Sequence, residues 1–312
     1  MSVRRISMFR DSMIPILQVF LLAYLCNGQA KEFQEYGKYG YVKKGQDSKL
    51  PSENFVNAST LIAGGTPAEA KEFPHMALIG YGKEFKSVWW GCGGSLISEK
   101  FIMSAAHCTV NTDLGPPQWV LLGALNELAT KDDPQRKVYS IVKVHNHPEY
   151  NSNSLYHDIS LFQLNTTVEF SPYVRLACLH TSTADFPAKT TASITGWGLT
   201  GASENPSDRL LKATIMVFDQ QKCRDAFPAN IAELARGYDS NTMICAGHTE
   251  SGRASCPGDS GGPLQIQIPN ESCKWNIIGV TSFGPKICGN NKPAVYTKVS
   301  YYLNWIQSIV WP

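Results

Sequence analysis

Gly258-Asp259-Ser260-Gly261-Gly262-Pro263, with Cys256 two residues ahead, is the stretch on which the reading of this chain turns. Small residues on both sides of Ser260 let the backbone fold tightly enough to aim a hydroxyl and neighbouring N–H groups at one point. Acyl transfer needs that convergence: a nucleophile, plus donors placed where negative charge develops on a carbonyl oxygen. A glycine-rich serine run also serves as a plain turn, so partners elsewhere in the chain decide. Ser104-Ala105-Ala106-His107-Cys108 offers a base, and His157-Asp158-Ile159-Ser160-Leu161 offers a carboxylate to orient it.

Chain order separates two ways of using such a serine. Gly258-x-Ser260-x-Gly262 fits the nucleophile elbow of esterases and lipases, which requires serine, then acid, then histidine. All seven histidines precede Ser260, the last being His248, so the elbow is excluded. The order His107, Asp158, Ser260 is that of the chymotrypsin arrangement.

From Ile62 to its C-terminus the chain resembles the chymotrypsin-like, trypsin-fold serine proteases. The resemblance rests on Ile62-Ala63-Gly64-Gly65, Trp90-Gly91-Cys92-Gly93-Gly94, Gly196-Trp197-Gly198 and the three motifs above. Glu72-Phe73-Pro74-His75-Met76, Tyr156-His157-Asp158 and Ser282-Phe283-Gly284 look like arthropod clip-type, snake-like proteases. The resemblance implies an all-β fold of two packed six-stranded antiparallel β-barrels with a C-terminal helix. It makes His107, Asp158 and Ser260 the catalytic residues, with the backbone N–H groups of Gly258 and Ser260 as oxyanion hole. No cofactor and no metal is implied. The implied partners of a monomeric enzyme are protein substrates, an upstream activating protease and serpin-type inhibitors. A homologue that binds without catalysing is the rival reading, although such proteins usually lose a member of the triad.

The patterning agrees with an all-β chain. Short apolar runs at 119–122, 138–144, 159–164, 213–218, 276–281 and 294–299 are separated by Gly, Pro and Asn, which argues for barrel or sandwich over α/β. Residues 302–310 place Leu303, Ile306 and Val310 at helical intervals, and the resemblance makes this a terminal helix expected to pack on the second barrel.

Arg4, Arg5 and Arg10 precede an apolar stretch at residues 13–26, too short to span a bilayer comfortably, and Gly28-Gln29-Ala30 supplies small residues for cleavage. Residues 1–30 therefore read as a secretory signal, a signal anchor being the alternative, and the product as secreted and extracellular. Three of the 28 basic residues and one of the 26 acidic residues lie in that segment, leaving 25 of each. A neutral remainder gives no electrostatic case for nucleic-acid or membrane partners. Residues 31–61 are polar, without periodicity and without cysteine, and read as a flexible pro-segment rather than a clip domain. The resemblance makes residues 62–312 the catalytic domain. An acidic grouping at residues 127–133 is either a calcium loop or a solvated turn.

Nine cysteines become eight without Cys26, and an even set in a secreted chain reads as disulfides whose pairing spacing alone leaves open among 105 connectivities. No CxxC or clustered Cys/His spacing supports zinc binding instead. The resemblance implies Cys92–Cys108, Cys223–Cys245 and Cys256–Cys288. Cys178 and Cys273 then remain, and are expected to bond within the domain. Ala192 and Ile266 stand where a further family bridge is common. Sequons at Asn57, Asn165 and Asn270 license glycans.

In the family a cut before the residue matching Ile62 frees an α-ammonium that pairs with the acid beside the catalytic serine, here Asp259. A buried carboxylate without a partner is costly, so pairing with Ile62 holds the loop. The position six before Ser260, acidic in Arg/Lys-cleaving members, is Ala254, beside Arg253; without an acid a buried substrate cation lacks its counter-charge. Ser255, Ser282, Phe283, Gly284 and Ala294 complete the implied substrate-binding surface, and Ala294 stands where glycine is usual. Leu, Met, Tyr or Phe are the expected residues before the scissile bond. Trypsin-like specificity with an acid from elsewhere is the alternative. Pro257 stands where Gln or Met is usual; it lacks an N–H, but the oxyanion donors belong to its neighbours.

Leu61, not Arg or Lys, precedes the activation bond, so the activator should prefer leucine or another large apolar residue. N-terminal sequencing of the activated protein should read Ile-Ala-Gly-Gly; any other start contradicts this cut.

Overall fold

The computed structural model describes residues 65–126, 135–199, 207–229, 232–248, 255–268, 273–285 and 292–312. Of the chain's two units, Met1–Val56 and Asn57–Pro312, only the second contains described residues. The signal, the pro-segment, Leu61, Ile62, residues 127–133, Ala254, Cys288, Asn57 and Asn270 lie outside them. Among the described residues no helix is long and apolar enough to cross a membrane.

The strands are β1 (Thr66–Pro67), β2 (Met76–Tyr81), β3 (Trp89–Ser98), β4 (Phe101–Ser104), β5 (Pro117–Leu122), β6 (Lys137–Asn146) and β7 (Ser160–Leu164). They continue as β8 (Cys178–Leu179), β9 (Thr191–Gly196), β10 (Leu211–Val217), helix α1 (Gln220–Ala226), β11 (Met243–Gly247), β12 (Pro263–Ile266), β13 (Asn276–Phe283), β14 (Ala294–Lys298) and helix α2 (Leu303–Val310). Strands β2-β3-β4-β7-β6-β5 close the first barrel. In the second, β9-β10-β11-β14-β13-β12 close through the β12–β9 pairing. Each ring is antiparallel and six-stranded, as the resemblance implied, and β8 adds parallel to β13.

Alternation explains how these sequences choose their faces. In β10, Leu211, Ala213, Ile215 and Val217 point into the second core while Lys212 and Thr214 face outward, the period of two that a half-buried strand requires. In β2 both faces are apolar because both are covered. Ala77, Ile79 and Tyr81 join the first core, whereas Met76 and Leu78 join a separate cluster with Trp197 and Trp275. Ala192 is buried in the second core and Ile266 packs against it, so apolar packing occupies both positions where the resemblance would put a further bridge.

Three disulfides have both cysteines among the described residues: Cys92–Cys108, Cys178–Cys273 and Cys223–Cys245. Cys223 sits in α1, whose first turn is capped by Asp219 accepting from the Lys222 N–H at 2.8 Å. Cys256 is also disulfide-bonded, while its expected partner Cys288 is outside the described residues.

The terminal helix corrects one expectation. Val299, Tyr302 and fully buried Ile306 belong to the core of the first barrel, alongside Ile79, Leu96 and Phe162, not to the core of the second. A helical period identifies an apolar stripe but not the surface it covers; here the turn at Val299–Tyr302 directs the stripe across to the earlier barrel.

Phe162 lies at the centre of that core with no exposed surface. Phe162→Ala should lower unfolding free energy by about 3–5 kcal/mol, read as a fall in the urea midpoint; an unchanged midpoint would contradict this packing.

Candidate active site

Asp158 belongs to the first barrel's connection between β6 and β7, yet residues from both barrels hold it. Its carboxylate receives the backbone N–H of His107 on Oδ1 at 2.9 Å and lies 2.7 Å from His107 Nδ1 through Oδ2. The Ser282 hydroxyl, from β13, donates to Oδ2 at 2.5 Å, and the Thr297 hydroxyl, from β14, donates to the Asp158 carbonyl at 2.8 Å. The carboxylate is buried, whereas the imidazole side chain keeps 36% of its surface exposed. A base held at its inner edge and open to solvent elsewhere is the disposition a proton-transfer group needs.

The electrostatics follow from this packing. Burial alone raises Asp158, but the His107 charge, hydrogen bonds from His107 and Ser282 and the His107 N–H outweigh it, holding the carboxyl below its usual range. Burial alone lowers His107, and the Asp158 charge and hydrogen bond overcome it, raising the imidazole above its ordinary value.

His107 rides on a short 3₁₀ turn, Ala106–Thr109, immediately after β4. Cys108 in the same turn is bonded to Cys92 of β3, and the Ser104 hydroxyl donates to the Gly93 carbonyl at 2.7 Å. Gly93 also donates its N–H to the Ser260 carbonyl at 2.7 Å. The turn carrying the imidazole and the loop carrying the serine therefore share one anchor. Cys92, His107 and Cys108 come together closely enough to suggest a metal cluster, but both sulfurs are consumed by the disulfide and neither is a thiolate ligand.

The serine loop is pinned from the second barrel as well, by Gly261 N–H to Thr281 O and Thr281 N–H to Gly262 O, each 2.9 Å. Gly258 has φ +97°, and a Cβ there would lie 2.7 Å from Gly198 Cα, so only glycine fits. The N–H groups of Asp259, Gly261 and Gly262 are spent on protein carbonyls. Among the described residues those of Gly258 and Ser260 donate to no protein group.

Asp259 is buried and accepts from Cys256 N–H at 2.8 Å and Gly198 N–H at 2.9 Å. A Cβ on Gly196 would collide with its Oδ1, which gives the Gly196-Trp197-Gly198 motif its physical reason. Burial pushes the Asp259 carboxyl up to about 6, the two backbone donors offsetting only part of the cost.

Of the substrate-binding candidates, Gly284 and Ala294 lie face to face, a Cβ on the former falling 3.1 Å from the Ala294 Cβ. Phe283 pairs with Val295 across β13 and β14 and meets the Phe227 ring edge-on at 5.6 Å. Buried Ser255 shares a 3.2 Å hydrogen bond with the Tyr296 hydroxyl. Ser282 spends its hydroxyl on Asp158, a positioning role that its place beside Phe283-Gly284 in the sequence concealed. Thr297 and Ser104 were likewise invisible before folding, because each acts on a residue remote along the chain. Asn165, the one sequon among the described residues, is exposed just after β7.

The family model described as Trypsin matches residues 62–306. The chain is similar to serine protease Snk of Drosophila melanogaster, 39% identical over 81% of this chain and 58% of that protein. It is 36% identical to serine protease Hayan of the same organism over 80% of this chain and 39% of that protein. It is 34% identical to CLIP domain-containing serine protease B4 of Anopheles gambiae over 87% of this chain and 77% of that protein. The chain thus spans well under two thirds of the length of Snk and Hayan.

The buried Asp259 generates a pH test on the uncleaved chain. A carboxyl raised on folding contributes stability that is complete below its unfolded value near 3.8 and is lost as pH rises through about 6. Buried His75, held down to about 3 by burial, acts oppositely, its contribution being lost as pH falls below about 6.5. The readout is therefore the difference between Asp259→Asn and parent. Between pH 4 and 7.5 the parent should lose stability relative to the variant; a constant difference would contradict the burial of an unneutralised carboxyl.

Proposed function

Because the chain belongs to the trypsin family of serine proteases and is related to arthropod snake-like members, we propose that it is the secreted precursor of a serine endopeptidase that cuts after large apolar residues. The observation that carries this reading is the grip of buried Asp158 on both the ring and the backbone N–H of His107. That grip fixes the tautomer in which Nδ1 bears the proton and leaves Nε2 as the base. The Ser260 hydroxyl attacks the substrate carbonyl and gives its proton to His107, and the imidazolium formed is stabilised by Asp158. The unspent N–H groups of Gly258 and Ser260 receive the oxyanion. His107 returns the proton to the leaving amine, and water repeats the sequence to release the acyl group. No cofactor enters these steps.

Activation follows from cleavage between Leu61 and Ile62. The new α-ammonium would give Asp259 the countercharge that its two backbone donors do not supply. In this reading Ser255, Gly284 and Ala294 line the specificity pocket as the resemblance implies, and Ala254 stands in the sequence where an acid would be needed; without a carboxylate, Leu, Met, Tyr or Phe are favoured over a cation. The partners are protein substrates, an upstream protease that cuts after Leu61, and serpin-type inhibitors in an extracellular proteolytic sequence, acting on a monomer. Glycans are proposed at Asn57, Asn165 and Asn270.

A serine-directed phosphonate should label the activated chain at Ser260, and Ser260→Ala should abolish labelling and lower kcat/KM by about 10⁴-fold or more. Unlabelled, inactive protein after a verified cut at Leu61 would contradict the enzyme reading. On a peptide panel, preference for Arg or Lys would contradict the pocket reading and leave the triad standing.

A further inference from the structure

Two histidines that take no part in this chemistry, His147 and His157, meet at the base of the loop that carries Asp158. His147 directly follows β6, and its N–H donates to Ile159 O at 3.1 Å, while Ile159 N–H donates to His157 O at 2.9 Å. These bonds close the loop at its neck. The two imidazoles lie nearly parallel there, 16° apart with centroids separated by 5.3 Å. Glu149 sits in the turn that Tyr150 N–H closes onto His147 O at 2.9 Å, and its Oε2 is 3.8 Å from His157 Nδ1. One ligand-type atom from each of the three side chains lies within 4.8 Å of the other two.

The surroundings make this more than a chance of surface crowding. The Tyr302 and Trp305 rings meet that of His147 edge-to-face at 4.9 and 5.1 Å, and the Tyr302 hydroxyl lies 3.1 Å from His157 Nδ1. The histidines are thus walled on one side, with side-chain exposure of only 14% for His157, while Glu149 is 65% exposed. His157 is held at φ +56°, a left-handed backbone uncommon for a residue with a side chain.

We propose that His147, Glu149 and His157 form a binding site for a zinc ion. Two imidazoles and one carboxylate, with water in the fourth position, are an ordinary tetrahedral zinc set, at about 2.0–2.2 Å per ligand. Calcium and magnesium, which prefer oxygen ligands throughout, suit it poorly. The three atoms stand slightly wider than such an ion requires, and the exposed arm of Glu149 supplies the closure. An ion there joins the two ends of the loop, one residue from Asp158, and so stabilises the segment that orients His107. No sign of such a site stood in the sequence, because the ligands lie at the two ends of a loop and form no compact motif. The site is independent of the protease reading, and its test reads binding, not activity.

The full chain, stripped with chelator, is titrated calorimetrically with zinc, and separately with cobalt(II) followed by its visible absorption. One ion per chain is expected, together with a rise in thermal midpoint at saturating zinc. Glu149→Gln and His157→Asn should each weaken zinc binding at least about tenfold, and the double variant should show neither binding nor thermal shift. Asparagine tolerates the left-handed backbone at 157, and exposed Glu149 carries little folding cost, so both variants should remain folded by circular dichroism. His107→Ala should bind zinc as the parent does. The proposal is overturned by a double variant that binds as tightly as the parent, by no binding at about millimolar zinc, or by loss of binding in His107→Ala.

Discussion

A carboxylate removed from water is costly unless charges and donors replace its hydration, and breaking such a set costs about 3–5 kcal/mol. Asp158 meets that requirement by drawing on both barrels at once. His107 comes from the turn after β4, Ser282 from β13 and Thr297 from β14. The same few bonds that make burial tolerable also bring two separately closed barrels into register. The orientation of the His107 ring is here a by-product of satisfying a buried acid, while the turn that carries it is anchored separately by the Cys92–Cys108 disulfide.

Asp259 is the instructive contrast. It is buried to a similar degree, but its described partners are two backbone N–H groups and no cation. Burial therefore wins, and its carboxyl rises where that of Asp158 falls. Among the described residues one buried acid has a histidine beside it, and the other has none. That difference is the physical basis for proposing that a new N-terminus at Ile62 governs the serine loop, whose Gly258 and Ser260 donors remain unspent.

Much of this was legible before folding. The runs at 213–218 and 276–281 fall within a residue or two of β10 and β13, because alternation and turn residues report strand position directly. The apolar stripe of α2 was visible, but the barrel it covers was not, since periodicity names a face and not its partner. Gly196-Trp197-Gly198 stood out as a motif without a reason until Asp259 filled the space its glycines leave. Ser282 was assigned to the substrate pocket by its neighbours, whereas its hydroxyl serves a carboxylate 124 positions away. The His147–His157 pair was equally hidden, because only closure of the loop neck makes the two rings neighbours. Local chemistry is readable in one dimension; the partner of a polar group is not.

The most direct test of the central claim is nitrogen-15 NMR of the His107 imidazole in the activated protein as a function of pH. The account predicts that near neutrality Nδ1 carries the proton, with its resonance shifted downfield by the short bond to Asp158, and that the ring titrates above its ordinary value of 6.5. A neutral ring protonated on Nε2, or one titrating at or below 6.5, would contradict it.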